Sequence, residues 1–387
     1  MRLLLAGILL SSFAPGQRLL DGDKAAEAAR FFEPGRNDRP LQCDVRPVQP
    51  HLSYGFRLQT GYAVHIPLKQ FIGPGRKIAI VSRVVPDGGD PKYLVGGMRL
   101  PNIPKTKDDL DIGGMFLVGE GRYRVDWMLA DDHDRVCRKS WSIQGKLDPN
   151  ERSLNLGLAP GTVNEISLRR WSSRGSRTDD VRPIRRLTVL LHAAPIMPRR
   201  TRLTAADRAL LLGSLVSLLE TIPAGSIRLV VFNLDQQKEL FRQDVLAPEA
   251  FDEVADSLGK LQLQIVDYHV LQNRLGHLSL LTGLVNQELQ EKDASEAVIF
   301  LGPATRYSDK VPDIPIDEHS RAVPRVFYLQ FKGYWDRGAD FPDSIDFAMK
   351  KVKGKTIRFH TPDEFAKAIK QIEVQLSGAK RPGAPGS

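Results

Sequence analysis

The sequence predicts an all-β sandwich followed by a doubly wound α/β domain, a mostly parallel sheet with helices on both faces. Three observations carry this. From residue 41 to 147, short apolar runs alternate with turns rich in Gly, Pro and Asp. From 186 to 377 the pattern changes to buried strands alternating with helical stretches, the order that builds a parallel sheet. Between them, 148–185 is an arginine-rich linker of little periodicity. With 387 residues, 42% of them hydrophobic, the chain can bury more than one core.

The first residues read as a signal peptide, 1–16. Met1-Arg2 is a short positive start, and residues 3–13 (LLLAGILLSSF) are apolar. Ala14-Pro15-Gly16 then offers small residues for cleavage before Gln17. No cysteine follows the apolar run, so a lipoprotein anchor is not expected. No later stretch reaches the roughly 18 apolar residues of a membrane span. The expectation is an exported protein, periplasmic or extracellular, with no transmembrane segment in the mature chain. Residues 23–32 (DKAAEAARFF) read as a short helix in an N-terminal arm, 17–40, stopped by Glu33-Pro34-Gly35.

In the sandwich, 41–147, candidate strands lie at 55–59, 62–67, 77–85, 93–100, 115–118, 122–129 and 136–143. Gly121-Arg122-Tyr123-Arg124-Val125 resembles the tyrosine corner of immunoglobulin-like sandwiches, where a Tyr hydroxyl ties back to nearby backbone. The domain is therefore expected to be immunoglobulin-like. Cys43 falls near the first strand and Cys137 on the last. An oxidising compartment favours a bridge between them, and a bridge there would staple the domain's two ends. Asp131-Asp132-His133-Asp134 lies between two candidate strands and is expected to be a hairpin turn, since Asp tolerates turn geometry.

The linker holds Arg169, Arg170, Arg174, Arg177, Arg182 and Arg185, and Arg186 follows. A solvated charged face is expected, with an anion-binding strip as the alternative. Short strands at 154–158 and 164–168 are compatible with the pattern. The α/β region opens on a buried strand, 187–191 (LTVLL). Thr204 and Asp207 form a capping box ahead of a helix that sets Leu211, Leu212, Leu215, Leu218 and Leu219 on one face. Strands at 227–233 and 238–242 follow, then helices from Pro248 to about 261 and over 275–289. Strands at 297–301 and 325–330, a helix at 344–352 and a strand at 356–359 come next. Thr361-Pro362-Asp363-Glu364 starts the last helix. Residues 378–387 read as a disordered tail.

Residues 186–376 resemble the von Willebrand factor A family, and exported A-domain-related proteins of acidobacteria within it. The likeness rests on Val230-Val231-Phe232 after a long amphipathic helix, on the hairpin into Lys238-Glu239-Leu240-Phe241-Arg242, and on the ending at 354–365 (GKTIRFHTPDEF). The resemblance implies a metal-ion-dependent adhesion site, built from a D-x-S-x-S loop, a Thr and an Asp. Mg²⁺ needs such hard oxygen ligands. Here the first loop places His192, Ala194 and Ile196 at the three ligand positions. The second loop, Asn273-Arg274-Leu275-Gly276-His277, holds no Thr, and Gly302 or Pro303 stands at the Asp position. The resemblance therefore implies a degenerate site with no metal. His192, His277 and His360 fall at strand or loop ends and are expected as ordinary polar loop residues.

No G-x-S-x-G, H-E-x-x-H, P-loop or G-x-G-x-x-G motif is present, so no catalytic residue and no cofactor is expected. Lys332, Tyr334, Trp335 and Arg337 follow the 325–330 strand, and adjacent aromatics flanked by cations make a candidate protein-contact patch. The net charge of +9 suits anionic partners but names none. Export argues against nucleic acid. The expected function is a non-catalytic interaction module for an unknown protein or envelope component. The alternatives are a hydrolase or other enzyme with a site between the domains, and a nucleic-acid or glycan binder acting through the arginine-rich linker.

Overall fold

The computed structural model describes residues 17–33, 38–152, 154, 156–166, 184–197, 200, 202–263, 268–290, 294–305, 315–316, 324–333 and 342–377. The stretch read as a signal peptide, the linker arginines 169–182 and the C-terminal residues 378–387 lie outside these. The chain divides into two compact units, Met1–Ser167 and Leu168–Ser387.

The first unit runs β1 (Arg18–Leu20), α1 (Gly22–Ala29), a 3-10 turn Arg30–Phe32, β2 (Arg39–Pro40), β3 (Asp44–Leu52) and β4 (Leu58–Pro67). It continues with β5 (Lys77–Pro86), β6 (Lys92–Arg99), β7 (Asp109–Val118), β8 (Gly121–Asp131), β9 (Arg135–Gly145) and β10 (Val163–Glu165). A six-stranded sheet, β1-β6-β5-β8-β9-β2, and a four-stranded sheet, β10-β7-β4-β3, share the interior. Val84, Val125 and Ile143 of the first meet Leu58, Phe116 and Val118 of the second. A second cluster joins Ile78, Ile80 and Trp127 to Tyr62, Val64 and Ile66. This is the strand alternation of a two-sheet sandwich.

Several local expectations change. Residues 44–52 form a strand that Pro47 and Pro50 concealed. β3 is an edge strand, where a missing N–H breaks no ladder. Residues 53–57, of which 55–57 were expected within a strand, make the turn into β4, with Phe56 at φ 51 and the Ser53 hydroxyl donating to the Arg57 carbonyl at 2.9 Å. Residues 156–158 are not a strand, and only 163–165 pair, with β7. The stretch expected as an arm is built into the packing. β1 pairs with Tyr93–Val95 of β6. Ala28, Phe31 and Phe32 cover the outer face of the six-stranded sheet at Val81, Tyr93 and Met128.

Tyr123 makes the expected contact: its buried hydroxyl lies 2.9 Å from the Gly119 carbonyl and 3.1 Å from that of Thr162. Asp131–Asp134 is a hairpin turn, with the Asp131 carboxylate accepting from the His133 and Arg135 amides at 3.0 Å each. Cys43 and Cys137 are disulfide-bonded, 94 residues apart with Cα atoms at 6.3 Å. Cys43 sits where the chain crosses from β2 to β3, and Cys137 lies on β9. The bridge therefore joins one sheet to the other as well as the first part of the sandwich to the last.

The second unit runs β11 (Ile184–His192), α2 (Ala205–Thr221), β12 (Ala224–Asn233), β13 (Lys238–Gln243), α3 (Ala250–Lys260), α4 (Tyr268–Gln272) and α5 (Gly276–Gln290). It ends with β14 (Ala297–Pro303), β15 (Arg325–Phe331), α6 (Ser344–Lys351), β16 (Lys355–Phe359) and α7 (Pro362–Ser377). One sheet results, ordered β13-β12-β11-β14-β15-β16. Only β13 runs antiparallel to its neighbour. All seven positions of β14 are buried. α5 and α6 cover one face through Leu281, Leu284, Ile345 and Met349, packed on Leu190, Phe232, Phe300 and Tyr328. The alternate residues Val189, Leu191, Val231, Ile299 and Leu329 are buried too, and α2 packs with α3 and α7 on that side. The Thr204–Asp207 capping box starts α2 as expected. α2 buries more than one face, including Ser214, Val216 and Ser217, because it meets helices as well as sheet. Deep in this unit Arg228 and Glu288 form an ion pair at 2.9 Å, each side chain 3% exposed. Thr188 donates to the same carboxylate at 2.8 Å.

The disulfide closes most of the first unit into a loop, so it limits the unfolded chain. Cys43→Ser with Cys137→Ser is expected to cost about 2–5 kcal/mol, read as a lower urea midpoint for the first unit. An unchanged midpoint would remove the bridge from the account of its stability.

Candidate functional site

In the parallel sheet, strand order reverses beside β11: β12 lies on one side and β14 on the other. Ligands of open α/β sheets bind outside the C-terminal ends of the strands at such a switch point. The residues there are His192 ending β11, Asn233 ending β12, Pro303 ending β14 and Phe331 ending β15.

His192 is 2% exposed, buried where a polar loop residue was expected. Its Nδ1 lies 3.1 Å from the Pro303 carbonyl. A carbonyl only accepts, so Nδ1 carries the proton and Nε2 presents a lone pair. That Nε2 is buried without a hydrogen-bond partner among the described residues. The ring lies against Phe232, centroids 5.3 Å apart. Gly302 makes this approach possible. At φ +152 it holds a conformation other residues avoid, and a Cβ there would come within 2.9 Å of the His192 Cβ. Burial holds the His192 pKa below the ordinary histidine range, against the opposing pull of Asp235, the Pro303 carbonyl and Asp343. Partial burial likewise lowers His277, opposed by the Arg274 carbonyl and Asp235.

Beside His192 lies a hydrogen-bonded junction centred on Asp343, the N-cap of α6. One carboxylate oxygen accepts from the Thr305 hydroxyl at 2.5 Å and the Ile345 amide at 2.9 Å. The other accepts from Gln330 Nε2 at 2.5 Å and lies 3.2 Å from the Tyr328 hydroxyl. Thr305 Oγ1 accepts in turn from the Ser344 amide at 2.9 Å. Gln330 Oε1 accepts from Arg358 Nε at 3.0 Å. The Tyr328 hydroxyl also reaches the Pro303 carbonyl at 3.1 Å, the oxygen that orients His192. Burial raises the Asp343 pKa despite the hydrogen bonds from Thr305, Ile345 and Gln330 that favour its ionised form. Burial and the neighbouring Asp343 together push the Tyr328 hydroxyl well above its usual value.

The residues singled out in the sequence land in different settings. Ala194 is buried just beyond β11. The Ile196 amide donates to Asp207 at 3.2 Å. Gly302 is inside β14, which runs on to Pro303, so the first positions past the strand are Ala304 and Thr305. Past that strand end a carboxylate and a hydroxyl, Asp343 and Thr305, meet and are bonded to each other. Among the described residues, no three His, Cys, Asp or Glu side chains gather as a metal-holding group. Of the contact patch, Lys332 lies at the end of β15, its amide bonded to the Phe359 carbonyl at 3.0 Å. Tyr334, Trp335 and Arg337 lie outside the described residues. His360 precedes α7, its amide donating to Glu364 at 2.7 Å.

The sequence reading missed Asp343. Its one local signal is an Asp ahead of a helix, the signature of an N-cap. Nothing local shows that its oxygens also collect donors from β15 and from the loop after β14.

No family model matches the chain, and no curated protein matches it. Among solved structures, a Northeast Structural Genomics Consortium target is 13% identical, covers 32% of this chain and 97% of its own, and has a TM-score of 0.19. A Bordetella pertussis protein from the same consortium is 12% identical over 29% of this chain and 99% of its own, TM-score 0.20. Bacteroides uniformis β-glucuronidase 2 is 7% identical over 87% of this chain and 32% of its own, TM-score 0.20. Similarity this low supports no statement about fold or activity.

Asp343→Ala strands the Gln330, Thr305 and Ile345 donors and removes a helix cap, so it is expected to cost about 2–4 kcal/mol. Asp343→Asn keeps a capping acceptor and is expected to cost about half as much. Denaturant titration of both variants checks the order, and equal losses would contradict the junction. His192 gives a pH signature. Its folded pKa is depressed, so its contribution is present above the unfolded value, about 6.5. That contribution is lost as pH falls towards the folded pKa, because the unfolded chain takes up the proton first. His192→Asn retains a donor for the Pro303 carbonyl without titrating. Stability measured between neutral and mildly acidic pH should fall less steeply in this variant than in the wild type.

Proposed function

We propose that the chain is an exported, non-catalytic interaction protein whose second unit is a von Willebrand factor A-like domain working without an adhesion-site cation. Its contacts are made by loops at the C-terminal edge of the parallel sheet. The observation that carries this is the saturation of Asp343. Both carboxylate oxygens are taken by protein donors, so the rim's buried carboxylate locks loops to α6 and offers a cation no free oxygen. Two further features support the reading. The order β13-β12-β11-β14-β15-β16 with an antiparallel β13 suits an A-type sheet, and the disulfide suits an oxidising compartment. The partner is a protein or other envelope component, met in part by Lys332, Tyr334, Trp335 and Arg337.

Affinity capture from an envelope fraction tests this. The recovered partner is expected to be the same in EDTA and in Mg²⁺, and to be lost with Tyr334→Ala plus Trp335→Ala. Capture that requires Mg²⁺, or that survives the double substitution, would overturn the metal-independent contact.

A further inference from the structure

The C-terminal edge of the α/β unit carries large apolar side chains that are mostly exposed. Tyr268 and Leu271 on α4 and Leu275 just beyond it are 67%, 63% and 54% exposed. Tyr268 and Leu271, three residues apart on α4, share one helical face, and Leu275 follows in the turn before α5. Hydrogen bonds place this segment at the rim. Gln237, in the turn between β12 and β13, donates to the Asn273 carbonyl at 2.8 Å. Its neighbour Gln236 bonds the Gln262 carbonyl, and Gln262 bridges to Arg202 in the loop leading to α2. The exposed leucines therefore sit beside the ends of β12 and β13.

Among the described residues the surrounding charge is more positive than negative. Arg202, Lys238, Lys260 and Arg274 are all exposed along this stretch. The acids described there are Asp235 and Asp256, both exposed, and Glu239, which is bonded to Arg242 at 2.7 Å. Large side chains more than half exposed project outward and do not line a groove. A rigid protein partner would need a pocket matched to them, whereas a bilayer interface yields to projecting apolar groups. Cations around them complement anionic headgroups within a Debye length.

We propose that this edge docks reversibly on an anionic phospholipid bilayer. Leu271 and Leu275 enter the headgroup–acyl boundary, Tyr268 lies at headgroup level, and Arg202, Lys238 and Arg274 face lipid phosphates. The apolar area is small, so docking needs the cations and weakens with salt. The proposal rests on the export and rim-contact reading above and names a lipid surface as a partner of that rim.

Vesicle flotation of the purified full chain tests it, with phosphatidylcholine alone against phosphatidylcholine mixed with phosphatidylglycerol. The chain is expected to float with the anionic vesicles at low salt, and weakly or not at all with the neutral ones. Lys238→Glu with Arg274→Glu should weaken binding about tenfold or more, and Leu271→Ser with Leu275→Ser about tenfold. All four positions are exposed, so unchanged unfolding midpoints are expected to verify folding. Should one pair fail to fold, the salt titration of the wild type and the other pair still decide. No flotation with anionic vesicles, flotation indifferent to salt or to the variants, or variants that abolish only self-association in sedimentation would overturn the proposal. Envelope capture is scored separately, so a failure on vesicles leaves the metal-independent protein contact standing, and a failure of capture leaves this result readable.

Discussion

Complete burial of the central strands sets the terms for everything at their ends. β11 and β14 lie between two helical layers, and their backbone groups are spent on neighbouring strands. Polar side chains admitted to that interior must bond one another, since an unpaired one would bear its full desolvation cost. The Arg228–Glu288 pair with Thr188 is one solution. Breaking such a pair costs far more than the pair contributes net, because the remaining charge stays buried. The Asp343 junction is the second solution, placed where two strands stop and a helix starts.

That junction ties the local chemistry of the rim together. The Pro303 carbonyl lies against both the His192 ring and the Tyr328 hydroxyl, and Tyr328 in turn contacts Asp343. A change at any of these groups is felt by the rest, so the deeper rim behaves as one rigid piece. The outer rim, with α4 and the turn between β12 and β13, is built differently, from exposed apolar and cationic side chains. One edge of the sheet thus has a bonded interior and an exterior of exposed apolar and cationic groups.

Much of the element order was legible because its signals are local. Thr204 and Asp207 announce α2, Thr361 and Pro362 announce α7, and runs such as 187–191 and 297–301 leave little choice but a buried strand. Tyr123 and the two cysteines were legible for the same reason, each being a side chain with few structural uses. What escaped depends on partners distant in the chain. β3 hid behind Pro47 and Pro50 because an edge position is defined by the absence of a neighbour. β1 is only three residues long and exists through its pairing with β6. At the site, sequence reading located His192 but not its burial, which depends on Gly302 and Phe232. Asp343 was missed: its sequence carries only the local mark of a helix cap, and nothing there shows a hub whose donors come from Thr305, Tyr328 and Gln330.

The bridge between Cys43 and Cys137 has one more consequence. The chain has two cysteines, so no wrong pairing is open to a single molecule. The one erroneous bond open to it links two different chains. Crowded nascent molecules would then appear as covalent dimers, and a reductant would return them to competent monomers with no isomerase needed to reshuffle bonds.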